Sequence, residues 1–453
     1  MPTFELFSAD FVRRIHPDWL QRRFGGGMLI EFRVENHRSV RDEQVLTLEA
    51  GSLGDEADPR PREVPGQAGR LLTVAALYGA NASGKSNVLA AVGFMREAVM
   101  RSHRSWPPEG GIPRDPFAWG PKQAEPSLFE VTFLIDGVRH EYGFVADDVR
   151  FLEEWLYAWP VGRKQVWFER EGDDYKFGEH LKGENRVVQD VTRPNALFLS
   201  AAVQHRHAQL TPIYEWFRAL QTVNLAGESG RVALGGWSDV WLRRELELSL
   251  TGRQASLFGD EPADRLEQFR ELLRAADVGI VDFKFDASSP ESDRVPRRRL
   301  MVQHRSSDGE AWLALEQESR GTLTLFRIGP VLVDVLRVGG VMVVDELEAS
   351  LHPLLALDIV RRFNDPATNP RNAQLLFTTH DTHLLGTVLG EPALRRDQIW
   401  LTEKDQDGAT CLYPLTDYKP RKAENLERGY LQGRYGAIPF LGDLVPVDAV
   451  DGK

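Results

Sequence analysis

Residues Tyr78–Asn87 read YGANASGKSN, and within them Gly79–Ser86 match the pattern G-x-x-x-x-G-K-[ST] at every fixed position. Before this stretch, Leu71–Leu77 (LLTVAAL) is a short apolar run suited to a buried parallel strand. After it, Val88–Met100 has the alanine, leucine and methionine content of a helix. Strand, glycine-rich turn and helix, in that order, form the context such a loop requires. Gly79 and Gly84 let the backbone wrap closely enough for successive N–H groups to point at phosphate oxygens. The helix starting near Lys85 adds its positive N-terminal end. Lys85 then reaches the β- and γ-phosphates and the Ser86 hydroxyl ligates Mg²⁺, with Asn81 and Asn87 on the same loop. The stretch reads as a nucleotide-phosphate site in an α/β protein, with ATP and Mg²⁺ as the expected cofactors.

Composition narrows the class. At 453 residues the chain has room for two or three ordinary domains, or for one large core with insertions. Its hydrophobic share of 42% suffices for a sizeable core, and no apolar run approaches the ~20 residues of a membrane span. The first residues include Asp10, Arg13 and Arg14 and lack the apolar stretch of a secretory signal. A single cysteine, Cys411, excludes an internal disulfide framework and a multi-cysteine zinc site. A cytoplasmic protein without a membrane partner is the simplest reading. The net charge of −12 argues against a globally basic nucleic-acid binder but leaves room for a local patch. Arg294–Arg299 (RVPRRR) is the candidate, and an exposed basic strand or loop is its plainer reading. There is no fixed-period repeat and no long heptad run.

Taken in order, residues 1–27 end in Gly25-Gly26-Gly27 and read as a flexible extension upstream of a start at Met28. MLIEFRVENHRSV and Gln44–Leu48 (QVLTL) read as two antiparallel strands. Residues 51–70 and 103–126 are rich in proline and glycine and read as exposed connections. Phe129–Ile135 and Arg139–Val145 flank Asp136-Gly137, a hairpin signal. Leu152–Trp159 and Lys164–Arg170 continue the β pattern, and Ala196–Leu199 (ALFL) reads as a further short strand. Residues 205–280 read as mainly helical, interrupted by the glycine-rich Gly227–Gly236. Val281–Phe285 and Arg299–His304 return to strand. The expected organisation is an extension at 1–27, a first ATPase lobe at 28–204, an inserted helical lobe at 205–300, a second ATPase half at 301–440 and a tail at 441–453.

The second half supplies further chemistry. Val341–Glu346 (VMVVDE) is a β-branched run ending in two carboxylates, and the C-terminal ends of such strands are where open α/β sheets bind ligands. Asp345 is placed to help hold Mg²⁺ and Glu346 to polarise an attacking water as general base. Leu375–Asp381 (LLFTTHD) is a second such strand, ending in His380, which is placed to contact the γ-phosphate and the water. Ser319-Arg320-Gly321-Thr322 precedes a helix running towards Leu336, with Ser319 as N-cap and a kink expected at Pro330.

Taken together, YGANASGKSN, ESRGT, VMVVDELEASLHP and TTHD resemble the ABC-type ATPase head of the SMC, RecF and OLD families. LIEFRVENHRSV is similar to the N-terminal strand pair of those heads. AENLERGYLQGRYGAIPF resembles the ending of bacterial stand-alone ATPases of this branch, several of which sit in phage-defence or restriction-associated operons. The resemblance spans about 28–440 and is most specific at the phosphate loop and at Asp345-Glu346. It implies a P-loop NTPase of ABC type, with a mixed central sheet, an antiparallel β subdomain and an inserted helical lobe. Gly84, Lys85 and Ser86 match Walker A, and Asp345 and Glu346 match Walker B. Ser319 and Gly321 match the signature that crosses to nucleotide on an opposite subunit, Ala349–His352 the D-loop, and His380 the switch histidine. A homodimer with ATP sandwiched between subunits is implied, and an effector protein is the expected further partner. His352 and Arg320 depart from the common pattern. Gln204 is taken as the Q-loop glutamine. No coiled coil separates the halves, and no paired acidic nuclease motif follows His380. Asp405 and Asp407 (EKDQDG) read as a hairpin turn.

Three functions remain open on the sequence. One is an ATPase acting as a dimerisation switch, with defence as the role the resemblance suggests. A second is a RecF-like DNA-binding ATPase of repair or recombination that grips duplex through a basic groove including Arg297–Arg299. The third, a P-loop kinase, is disfavoured by the acidic pair, the histidine and the signature tetrad.

Overall fold

Two kinds of strand build two kinds of sheet in this chain. The computed structural model describes residues 27–52, 57–224, 241–242, 244–246, 262–276, 279–286, 299–306, 311–388, 390–421 and 424–439. The expectations for 1–26, Gly227–Gly236, 294–298 and 441–453 lie outside these residues.

Half-polar strands pair antiparallel, one face on a core and the other wetter. β1 (Leu29–Glu35) and β2 (Gln44–Thr47) form the first pair. After β3 (Val74–Gly79), which belongs to the other sheet, and α1 (Lys85–Arg101), the chain lays down four long strands and a short one. These are β4 (Ser127–Ile135), β5 (Val138–Ala146), β6 (Phe151–Trp159), β7 (Gln165–Glu171) and β8 (Asp174–Phe177). The sheet runs β2-β1-β4-β5-β6-β7-β8. Its β4–β5 hairpin turns on Asp136 (φ 48°) and Gly137 (φ 75°), two consecutive left-handed residues as a two-residue turn demands.

Three short helices follow: α2 (Asn185–Val191), α3 (Phe198–Gln204) and α4 (Thr211–Ala219). Here the expected ALFL strand is wrong. Phe198 and Leu199 open α3, because the buried Glu154 carboxylate of β6 accepts from both of their free N–H groups at 2.6 and 3.1 Å. An anion at those amides is a helix start supplied by a residue more than forty positions upstream. α4 presses Trp216 flat against Phe133 of β4, with ring centroids 4.2 Å apart.

The helical reading of 205–280 also missed β9 (Gln221–Asn224), which runs parallel to β13 in the central sheet. α5 (Pro262–Ala275) is helical as expected. Beyond it, β10 (Ile280–Asp286), β11 (Arg299–His304) and β12 (Ala311–Ala314) make a small antiparallel sheet. α6 (Arg320–Val338), β13 (Val341–Asp345), α7 (Pro353–Asn364), β14 (Gln374–Thr378), β15 (Ile399–Lys404), β16 (Thr410–Pro414) and α8 (Leu426–Leu431) complete the described chain.

The central sheet runs β16-β15-β3-β14-β13-β9 and is parallel from β15 to β9, with β16 antiparallel at one edge. Its strands read as continuous apolar runs because each face covers a different core. Ala75 and Leu77 of β3, with Val341 and Val343 of β13, join the core shared with α1, α4 and the antiparallel sheet. Their alternating neighbours Val74, Ala76, Tyr78, Met342 and Val344 join the core shared with α5, α6 and α7. One side chain stitches the two sheets. Buried Gln374 accepts from the Leu29 N–H at 2.6 Å and donates to the Leu29 and Leu72 carbonyls at 2.9 and 3.0 Å.

Candidate active site

The phosphate loop leaves the C-terminal end of β3, between the ends of β15 and β14. Gly84 caps α1 at φ 108°, and a Cβ there would overlap the Thr410 hydroxyl. A Cβ on Gly79 would overlap the hydroxyls of Ser83 and Thr402. The β15–β16 hairpin thus floors the loop. Ser83 and Thr402 hydroxyls lie 2.6 Å apart, and Thr410 Oγ1 donates to the Ser83 carbonyl at 2.9 Å. Asn81 is exposed on the crest of the loop, whereas Asn87 donates to Ser39 Oγ at 2.6 Å and is committed to the turn after β1.

Lys85 is 6% exposed, and its ammonium donates to the carbonyls of Gly79 and Ala80 at 2.9 and 3.0 Å. Burial lowers its pKa, opposed by the negative charges of Glu348, Asp345 and Glu346. Its bonded partners among the described residues are carbonyls, so no carboxylate is bonded directly to the buried cation. A phosphate oxygen would supply a directly bonded negative charge.

β14 lies between β3 and β13 and carries the clamp that joins them. Ser86 Oγ donates to Asp345 Oδ1 at 2.9 Å, and Thr378 Oγ1 donates to the same oxygen at 2.7 Å. Thr378 Oγ1 also accepts from the Glu346 N–H at 2.7 Å. Glu346 itself sits at φ 55°, a left-handed backbone that swings it out of the strand direction. Among the described residues no three His, Cys, Asp or Glu side chains are arranged for a metal ion. Ser86 Oγ and Asp345 Oδ1 fit two places in the oxygen shell of Mg²⁺, which ordinarily takes the rest from phosphate and water.

His380 follows β14. Its backbone N–H donates to Glu348 Oε1 at 2.6 Å, while the other Glu348 oxygen is buried without a bonded partner among the described residues. Burial and the nearby Lys85 charge hold the His380 pKa below the ordinary histidine value, which keeps the imidazole neutral near pH 7.

Ser319 caps α6, its Oγ accepting from the Thr322 N–H at 3.1 Å. Gly321 packs against the D-loop, and a Cβ there would lie 2.9 Å from the Ser350 carbonyl oxygen. His352 caps α7, Nδ1 accepting from the Leu354 N–H at 3.2 Å, so the departure from the common D-loop residue has a local helix-capping reason. Ser319, Arg320, Ser350 and His352 are all exposed. No hydrogen bond among the described residues joins Ser319 or Gly321 to the phosphate loop. The structure therefore brings together Lys85, Ser86, Asp345, Glu346 and His380, and leaves the signature residues on an open face.

The choice of Gln204 is contradicted. It ends α3, exposed, and its neighbour His205 meets His103, which lies just beyond the last turn of α1. The phosphate loop is at the other end of that helix, roughly 25 Å away at ~1.5 Å per residue. The ALFL segment was taken for a strand leading into the site, and as a helix it leads elsewhere. The strand that does reach the site is β9, with Asn224 in register with Asp345. Thr378 and Glu348 also went unassigned in the sequence. Only a third carboxylate two residues past Glu346 hinted at the second.

A parallel sheet with a phosphate loop after β3, an acidic pair after β13 and an intervening strand ending in histidine defines a P-loop NTPase fold. A sequence-family model described as "AAA domain, putative AbiEii toxin, Type IV TA system" matches residues 74–386, well over half of the chain. The chain belongs to that family. No curated protein matches it. Solved structures similar to it include the SMC head domain from Thermotoga maritima, at 12% identity and a TM-score of 0.37, over 85% of this chain and 98% of that one. An Smc head bound to the C-winged helix domain of ScpA matches at 14% identity and a TM-score of 0.42, over 85% and 96%. An Smc head with an extended coiled coil, bound to the C-terminal domain of ScpA derived from Pyrococcus furiosus, matches at 11% and 0.40, over 87% and 98%.

Proposed function

We propose that this chain hydrolyses ATP and uses the nucleotide to switch between separate and paired subunits, acting with an effector protein in bacterial anti-phage defence. The observation that carries the ATPase reading is the buried Lys85 ammonium, bonded to carbonyls among the described residues and felt electrostatically by Asp345, which Ser86 holds. Gly79–Ser86 would cradle the phosphates, with Lys85 as the counter-charge. Mg²⁺, held by Ser86 and Asp345, would neutralise negative charge on the phosphate oxygens. Glu346 would take a proton from the attacking water, and neutral His380 would orient it.

Pairing of subunits is supported by the exposed signature and D-loop residues, which among the described residues make no hydrogen bond to the phosphate loop of their own chain. In a head-to-head pair Ser319 and Gly321 would complete the partner's site. The defence role rests on the family description, which names an AbiEii-type toxin.

The test is the mass of Glu346→Gln with and without ATP and Mg²⁺. The expected result is loss of turnover with a stable ATP-bound dimer. A variant that binds ATP yet stays monomeric would end the switch reading, and a wild-type protein without ATP turnover would end the enzymatic one.

A further inference from the structure

The segment with the motif AENLERGYLQGRYGAIPF has no part in the chemistry above, yet it lies against both the residue before the phosphate loop and the loop after His380. Tyr430 of α8 is 7% exposed and meets Tyr78, the residue before the phosphate loop, edge to face at 5.6 Å between ring centroids. Burial raises the Tyr430 phenol's pKa to about 12. The Tyr430 hydroxyl donates to the Ala437 carbonyl at 3.1 Å. One turn earlier in α8, Glu427 Oε1 accepts from the Thr382 hydroxyl at 3.2 Å, two residues past His380. Tyr78 closes the circuit by donating through its own hydroxyl to the Asp381 carbonyl at 3.0 Å.

The tail is built to hold that position. Tyr435 is 1% exposed, donates to Glu424 Oε1 at 2.5 Å and packs so tightly on Gly429 that a Cβ there would lie 2.6 Å from its oxygen. A Cβ on Gly386, in the loop after His380, would overlap the Glu427 carboxylate. The chain reverses through left-handed Gly433, Gly436 and Ala437. Tyr413 of β16 donates to the Tyr435 carbonyl at 3.2 Å, so the tail is also fixed to the edge of the central sheet.

From this circuit we infer that residues 424–437 form a bracket that holds the phosphate-loop base and the His380 loop in fixed relation, with Tyr430 and Glu427 as positioning residues. The inference deepens the ATPase reading and rests on it. Loop and histidine come from different strands, and nucleotide must find both in place. The bracket sets that spacing before ATP arrives, which spares the reaction the cost of ordering it.

Two near-isosteric variants test this. Tyr430→Phe removes one hydroxyl and keeps the ring, and Thr382→Val removes the donor to Glu427. Each should lower kcat about fivefold, the scale of one hydrogen bond, with ATP affinity within about twofold and Tm within a few degrees. The double variant should lose no more than the more damaging single, because both act through one bracket. Unchanged kcat in both singles, multiplying losses, or losses that track Tm would overturn the proposal. A second readout needs no turnover. Amide exchange at residues 78–84 should rise in Thr382→Val, which does not touch them. No rise there would overturn the bracket even in a protein that hydrolyses ATP. A rise without wild-type ATPase activity would sink the enzymatic reading and leave the bracket standing.

Discussion

At the scale of single residues, the site depends on a hydroxyl to which the matching motif TTHD gives no role. Thr378 is fully buried and touches both halves of the acidic pair, the Asp345 carboxylate and the Glu346 N–H. Thr378→Val keeps the β-branched volume but leaves Asp345 oriented by Ser86 alone and the Glu346 amide unpaired. ATP binding with Mg²⁺ should weaken about tenfold, whereas Mg²⁺-free binding stays nearly unchanged; a titration of a fluorescent ATP analogue with and without the metal reads the difference. Lys85, Ser86, Asp345 and His380 were legible because each sits at a fixed offset in a local pattern. Thr378 was not, because its partners lie 33 and 32 residues away.

Among the elements, the joint between the two sheets carries weight out of proportion to its size. Gln374 makes three bonds with Leu29 and Leu72, at the start of β1 and just before β3, using both N–H donors and the carbonyl oxygen of its amide. In Gln374→Leu the Leu29 N–H and two carbonyls would remain buried without that partner. The expected loss is about 2–4 kcal/mol in urea unfolding, with little change in m-value. A loss under about 0.5 kcal/mol would mean that water or backbone shifts replace the amide. Elements were legible where periodicity was long, as in the β4–β5 hairpin and α6. They failed where a tertiary contact chose the state. ALFL became a helix start because Glu154 meets its amides, and β9 became a strand because β13 offers it a free edge.

Across the whole molecule, the antiparallel lobe should make stability fall on acidification. His37 and His140 are buried, and burial holds each near pKa 4, with Arg38 adding to the effect at His37 and the Val138 carbonyl opposing it at His140. Unfolded histidine takes up its proton below about pH 6.5, so between there and about 4 the unfolded chain binds more protons than the native one. Stability from these two groups is therefore complete above pH 6.5 and is lost as pH falls. The slope approaches about 2.7 kcal/mol per pH unit when both contribute. Urea midpoints at pH 7, 6 and 5 measure it, and a flat profile would mean that both rings titrate in the native protein as they do in the unfolded chain. Among the described residues no helix is long and apolar enough to cross a membrane.

The sequence by itself determined the phosphate loop, the acidic pair, the histidine after β14 and the alternation of strands with helices. Each is written in residues close together, where spacing and side-chain type constrain the backbone directly. Tertiary structure alone decided the strand order that sets β14 between β3 and β13, the clamp by Thr378, the place of Glu348 beside His380 and the packing of Tyr430 on Tyr78. Those depend on contacts between segments tens to hundreds of residues apart. Such contacts are fixed by which faces must be buried together, and no local spacing records that.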